Sequence, residues 1–226
     1  MPICRPCPSA TARDLAILCQ RRSQPQRRMT SDFTLYCFSC NCKAPRDSLT
    51  AICQQCGTLL QLQNRYCAIK LLGQGKFSRT FLAVDQANST QCVIQQYWSD
   101  RPDAVLVTKL RTVGQHPQLP TLLDDFEQNG IYYLVQEYVE GENLATEIAT
   151  QGRFTTTAVW EILESVLPIL LWIHTHGLIH RDLKPENILR RSLSEWMLVD
   201  WSAAILSTDR SLRAIASNLS MGTRQK

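Results

Sequence analysis

The stretch Ile179-His180-Arg181-Asp182-Leu183-Lys184-Pro185-Glu186-Asn187-Ile188-Leu189 decides how the rest of this chain is read. Asp182 can accept a proton from a hydroxyl. Asn187, five residues on, can ligate magnesium through its amide oxygen. A pair of this kind positions reactants and neutralises charge; it forms no covalent intermediate. The question is whether the residues outward from this loop support such chemistry.

The chain has 226 residues, 44% of them hydrophobic and 19% charged, enough for one moderate domain with small appendages. Its net charge of +4 is mild, and part of it sits in Arg21, Arg22, Arg27 and Arg28. That cluster reads as a solvated basic tail, so no nucleic-acid partner is expected. The longest apolar run, Val166 to Ile173, contains Pro168 and falls short of the ~20 residues a membrane span needs. No membrane partner is expected on that count. Leu15 to Cys19 is too short for the core of a secretory signal, which leaves a cytoplasmic location as the default. Met29 is a second possible start. Residues 1–32 lack a sustained apolar period, are rich in Arg, Gln, Ser and Pro, and are expected to be disordered.

Most of the ten cysteines lie before residue 57, a clustering that suits metal binding better than a disulfide framework. Over residues 33–62, Cys37, Cys40 and Cys42 precede Cys53-Gln54-Gln55-Cys56-Gly57. Two clusters a dozen or so residues apart fit a zinc ribbon, in which two turns aim four thiolates at one tetrahedral ion. Cys53 and Cys56 are two ligands. Cys37 with either Cys40 or Cys42 completes the set. Cys4 and Cys7 have matching spacing but no second pair.

From Tyr66 the pattern changes to short apolar strands: Tyr66–Leu72, Thr80–Val84, Cys92–Tyr97, Leu122–Phe126 and Ile131–Tyr138. Asn129-Gly130 between the last two signals a hairpin turn. Asp103–Val113 reads as a short helix that His116-Pro117 ends. After residue 141 helices dominate. Glu142–Gln151 is one. Thr155–His176 is a longer one, with Val159, Ile162, Leu163, Val166, Ile169, Leu170 and Ile173 at helical spacing on one face. Pro168 should kink it and Gly177 should end it. Trp196–Val199 is a last short strand. The expected class is α+β in two lobes, residues 66–140 and 141–226, behind the cysteine module.

These features together resemble the cyanobacterial-type serine/threonine protein kinases that carry a four-cysteine zinc motif before the kinase domain. The resemblance runs from about Tyr36 to the end. It rests on Cys53-x-x-Cys56-Gly57, Asn64-Arg65-Tyr66, the glycine-rich Gly73-Gln74-Gly75-Lys76-Phe77-Ser78, Gly114-Gln115-His116-Pro117-Gln118, and the quoted loop, which fills every fixed position of the H-R-D-L-x-x-x-N signature. It implies a two-lobed kinase-like fold, ATP and magnesium as cofactors, structural zinc, and a protein substrate or partner. It implies that Asp182 orients a substrate hydroxyl, Lys184 meets the transferred phosphate, and Asn187 and Asp200 hold magnesium. Gly73 and Gly75 let backbone approach phosphate oxygens. Gln136-Glu137-Tyr138-Val139 is the segment whose backbone pairs with adenine. His180 and Arg181 brace the loop. In this family the first cysteine pair often spans four residues, which favours Cys37 and Cys42 as ligands and leaves Cys40 a spectator.

The chain also departs from the family. Gln95, in Cys92-Val93-Ile94-Gln95, stands where the lysine of V-A-I-K belongs. No glutamate occurs between Gln95 and Phe126, and the place of the lysine's partner falls near Leu106. Asp200-Trp201-Ser202 replaces D-F-G. The chain ends at Met221-Gly222-Thr223-Arg224-Gln225-Lys226, before the helices that complete the second lobe, so the expected product is a truncated kinase with impaired transfer, or a pseudokinase. Lys76, in the glycine-rich stretch, is a candidate substitute for the missing phosphate-binding lysine.

Overall fold

Alternation of side chains in runs of seven to nine residues builds the first half of the fold. The computed structural model describes residues 35–44, 52–76, 78–99, 101–192 and 195–207. The cysteine segment contributes β1 (Leu35–Tyr36), β2 (Lys43–Ala44) and β3 (Gln61–Leu62). Then come β4 (Tyr66–Gln74), β5 (Ser78–Asp85), β6 (Thr90–Tyr97), helix α1 (Ala104–Val113), β7 (Leu122–Gln128) and β8 (Ile131–Glu137). These strands form one antiparallel sheet in the order β2-β1-β4-β5-β6-β8-β7, with β3 also on β4. Asn129 and Gly130 have φ of 55° and 73°, the two positive values a primed hairpin turn requires.

The cysteine module therefore extends the main sheet, with Tyr36 in register with Ala68. Phe38, only 2% exposed, packs its ring edge-on to Phe81 at 5.0 Å, and Tyr133 lies 6.3 Å away. These rings belong to a cluster on one face of the sheet, with Tyr66, Ile94 and Val135. A larger cluster on the other face joins Tyr97 and Leu134 to α1 and to the second half of the chain.

That second half holds β9 (Glu142–Asn143), α2 (Leu144–Gln151), α3 (Thr156–Thr175), β10 (Leu178–Ile179), β11 (Ile188–Ser192), β12 (Glu195–Leu198) and β13 (Ile205–Leu206). The expected helix 142–151 loses its first two residues to β9, whose Glu142 and Asn143 pair with Arg190 and Leu189. A Cβ on Gly141 would lie 2.5 Å from the Arg190 carbonyl oxygen, so this close approach needs glycine. Each helix starts on a side chain suited to cap it: Asp103, Asn143 and Thr155 accept from the amides of Leu106, Thr146 and Ala158.

Helix α3 runs unbroken through Pro168, and Gly177 ends it at φ 76°. It buries Ile162, Val166, Ile169 and Ile173 against Leu178 and Leu198. Val159 and Leu163, expected on that face, are exposed beside Trp160, Leu167 and Leu171. At 20 residues, with an 18-residue window of mean hydropathy 1.5, α3 is long and apolar enough by length and composition alone to cross a membrane. Counting only the run Val166–Ile173 missed that. The predicted strand Trp196–Val199 is β12, one residue earlier, while β10, β11 and β13 were not foreseen. The basic segment 1–32 and the terminal residues 208–226 lie outside the described residues.

Candidate functional site

The loop that opened the sequence leaves β10, which pairs with β13, and Arg181 turns it with φ of 65°. His180 is buried, and its Nδ1 accepts from the Asp182 amide at 3.3 Å. The imidazole proton therefore sits on Nε2, which donates to the Val199 carbonyl at 3.1 Å. Burial pushes the His180 pKa down and favours this neutral form. Its role here is a brace, as expected.

Asp182 receives Lys184 Nζ at 2.6 Å. The Lys184 ammonium holds the Asp182 carboxyl below the usual carboxylate range, with a further contribution from the Asn187 amide. Asn187 Nδ2 donates to the Asp182 carbonyl at 2.8 Å and to its carboxylate at 2.9 Å. With its nitrogen so engaged, the Asn187 oxygen is the end offered to a cation.

Asp200 faces this loop with φ of 69°. Its Oδ1 accepts from the Ser202 amide at 3.0 Å and from Gln95 Nε2 at 2.8 Å. Trp201 is buried 5.1 Å from the His180 ring, so the aromatic that replaces phenylalanine packs inward. Gln95 is 0% exposed on β6. Its Oε1 accepts from Tyr97 OH at 2.9 Å and lies 3.5 Å from Gln136 Nε2. Burial raises the Tyr97 pKa, which keeps that hydroxyl a donor. Leu106 of α1 packs against the cluster that holds Tyr97 and Trp201. Gln95, Tyr97 and Gln136 thus form an uncharged hydrogen-bonded group beside Asp200. Tyr97 was missed in the sequence, and Gln136 was named there only for its backbone. The signal for Tyr97 was its position two residues from Gln95, on the same strand face.

These walls enclose a cleft of about 650 Å³. Leu72, Gly73 and Val93 line it above, Lys184, Asn187 and Asp200 below, and Gln136 to Val139 along the edge. Gly73 lies in the lining, and a Cβ there would meet nothing within 4 Å. Gly75 closes the turn by donating to the Ser78 carbonyl at 2.9 Å. Lys76 is exposed at that turn and lies outside the lining. The Glu137 amide is already bonded to the Thr121 carbonyl at 2.9 Å, and its carboxylate meets Arg191 at 3.2 Å. The mixed apolar and polar lining, of this volume, suits a small organic ligand with one charged end.

The second site is the cysteine cluster. The sulfurs of Cys37, Cys40, Cys53 and Cys56 all lie within 4.8 Å of one another. The pairs Cys37–Cys56 and Cys40–Cys53 are each 3.5 Å apart. Four sulfurs this close match the layout of a tetrahedral thiolate site; three are free thiols, and Cys40 is bonded to Cys42 and would have to be reduced to serve. Cys40 takes the place expected of Cys42. The reason is local: the turn closed by Asn41 N to Cys37 O at 2.9 Å, with Asn41 at φ 58°, folds Cys40 back toward Cys37. Cys42 lies just past the turn, its sulfur against that of Cys40 and 2.8 Å from Gln55 Oε1. A matching turn, Gly57 N to Cys53 O at 2.8 Å, sets Cys53 and Cys56. Burial pushes the Cys37 thiol up to about 11, whereas Thr58 beside Cys56 brings that thiol down to about 6.

Residues 66–224 match the protein kinase domain. The chain belongs to the protein kinase family. It is 38% identical over 209 residues to serine/threonine-protein kinase B of Synechocystis, covering 83% of this chain and 36% of that kinase. It is 37% identical over 157 residues to serine/threonine-protein kinase PknA of Nostoc, covering 63% of this chain and 28% of the relative. A third, serine/threonine-protein kinase C of Synechocystis, is 37% identical over 155 residues, 62% of this chain and 29% of that kinase. The chain thus spans about a third of the length of the curated kinases it matches. The kinase-like α+β fold and the cysteine cluster before it are as the sequence led one to expect.

Proposed function

We propose that this chain is the nucleotide-binding part of a serine/threonine protein kinase whose phosphoryl transfer is impaired. The observation that carries this reading is the meeting of Asn187, Asp200 and the neutral Gln95 in one cleft, with Asp182 bonded to Asn187 and Lys184 beside it. ATP is the cofactor, and a protein hydroxyl is the acceptor. Asn187 and Asp200 would hold magnesium, which when bound neutralises charge on the phosphates. Asp182 would orient the hydroxyl, and Lys184 would steady the transferred group. Gly73 and the segment from Gln136 to Val139 would bind the nucleotide, with Gln95 above its phosphates. A neutral amide cannot supply the charge of the usual lysine, and losing one preorganised group of this kind costs roughly 10²–10³ in rate.

A second reading is favoured by the Gln95–Tyr97–Asp200 network itself. The Gln95 amide, the Tyr97 hydroxyl and one Asp200 oxygen are bonded to one another without a lysine or a glutamate, as suits a pseudokinase that senses nucleotide and acts through protein contacts. Thermal-shift titration with ATP, with and without magnesium, joined to an assay of labelled phosphate transfer, separates the two. A shift with slow transfer supports the impaired kinase, a shift without transfer supports the pseudokinase, and no shift at all removes both.

The cysteine cluster is proposed to hold one structural zinc through Cys37, Cys40, Cys53 and Cys56. A closed four-thiolate site stabilises a segment with little core of its own, here Cys37, Cys53 and Leu60. Zinc content per chain should fall in Cys40→Ser and stay near one in Cys42→Ser. The reverse result would restore Cys42 as the ligand.

A further inference from the structure

We propose that the exposed apolar stripe of α3 is covered by the chain's own residues 210–221, lying antiparallel along it as a short amphipathic helix.

The stripe consists of Trp160, Leu163, Leu167 and Leu171, which successive steps of three and four residues stack along one side of α3. Trp160 is 60% exposed and Leu167 56%. The buried residues Ile162, Val166, Ile169 and Ile173 take a different side of the same helix. Among the described residues, none of the four stripe side chains belongs to a packed hydrophobic cluster. Single apolar residues on a surface are ordinary, but four large ones in a line over about three turns mark a contact face.

The chain beyond Ser207 starts where a cover is needed. The Ser207 amide donates to the Gly177 carbonyl at 2.8 Å, beside the C-terminal end of α3. From there a helix running back along α3 passes from Leu171 toward Trp160. The sequence suits that path. Leu212, Ile215, Ala216 and Leu219 recur at helical spacing, Asp209 is a good N-cap, and Gly222 is a stop signal. Residues 160–171 and 210–221 are equally long, each ~18 Å as helix. So short a helix is marginal alone in water and needs an apolar face to dock on.

Charge favours the same occupant. Glu161 and Glu164 are exposed beside the stripe. Residues 208–226 carry Arg210, Arg213, Arg224 and Lys226 against one acidic side chain, Asp209. A second copy of α3 would offer the same carboxylates again. The basic segment before residue 33 is less well placed, because it enters at β1, whose Tyr36 packs on the other face of the sheet.

The test is amide hydrogen exchange of the full chain, read by mass spectrometry at several protein concentrations, with sedimentation velocity at each. Peptides within 210–221 should exchange at least about tenfold slower than a free peptide of the same sequence. Leu167→Glu and Ile215→Glu should each return them to the free rate, while β5 and β6 keep their protection and report that the variant is folded. If Leu167→Glu loses that sheet protection, Leu171→Gln takes its place with the same expected result. Free exchange of 210–221 in the unaltered chain overturns the proposal. So does protection that survives the α3 substitution in a folded variant, which would seat the segment elsewhere. Protection that appears only as the chain dimerises also overturns it and gives the face to a second copy.

Discussion

The floor and the roof of the cleft are built in opposite ways. On the floor, Asp182, Lys184 and Asn187 satisfy one another within five residues of chain. In the roof, Gln95 is held by partners 41 and 105 residues away as well as by its strand neighbour Tyr97. The floor fills every fixed position of the H-R-D-L-x-x-x-N signature, whereas the roof carries an uncharged side chain, Gln95, held by hydrogen bonds. A local constellation survives as a unit because its parts support each other. A long-range pair leaves as a unit, since a lone survivor would be a buried, uncompensated charge.

This contrast can be tested from either side. The largest expected effect is on the floor. Asp182→Ala should lower any phosphate transfer by roughly 10²–10⁴-fold in a labelled-phosphate assay, and an unchanged rate would deny Asp182 its role. In the roof, Gln95→Ala strands the Tyr97 hydroxyl and takes a donor from Asp200. Urea titration should show a loss of about 1–3 kcal/mol with an unchanged slope. No loss would mean that the network is not structural. Restoring the ion pair sharpens the same point. Gln95→Lys and Leu106→Glu should each destabilise alone, yet recover about 0.5–3 kcal/mol of coupling when combined, as measured by a double-mutant cycle. Simple additivity would show that α1 no longer presents position 106 to the site.

The smallest effect is a slope. Burial holds the folded His180 pKa below its unfolded value near 6.5, so between the two values the unfolded chain binds more protons. Its contribution to stability is therefore complete above pH ~6.5 and is lost as pH falls toward the folded pKa, by up to about 1.4 kcal/mol per unit. Asp182 and Asp200 oppose this shift, and Lys184 adds to it. Thermal unfolding between pH 7.5 and 5.5 should steepen less in His180→Gln than in the unaltered chain; parallel curves would place the titration elsewhere.

Legibility followed the same division. The loop, the hairpin at Asn129-Gly130 and the five strands between Tyr66 and Tyr138 were readable because turn chemistry and alternation are local. The lack of charge at positions 95 and 106 was also readable. What replaced it was not, since Tyr97 and Gln136 reach Gln95 only after β6 and β8 pair. The choice of Cys40 over Cys42 turned on the backbone of Asn41, and a spacing habit pointed the other way. Short β9 escaped notice because its pairing partner lies more than forty residues downstream, beside a glycine whose need appears only in three dimensions.

The wedge of Phe38 into the sheet has a consequence for where this protein can be divided. The family match begins at Tyr66, yet cohesion does not begin there. A fragment started at that residue would lose β1 and β3, turning β4 from an interior strand into an open edge. It would also uncover the rings of Phe81 and Tyr133, and release Arg79 from the Ser39 carbonyl it now holds at 2.9 Å. Bare aromatic surface beside an unpaired edge invites other chains to add to the sheet. The residues before the family boundary thus act as a seal on the sheet, and Thr80, next to Phe81 on the sealed strand, is part of the cleft's lining.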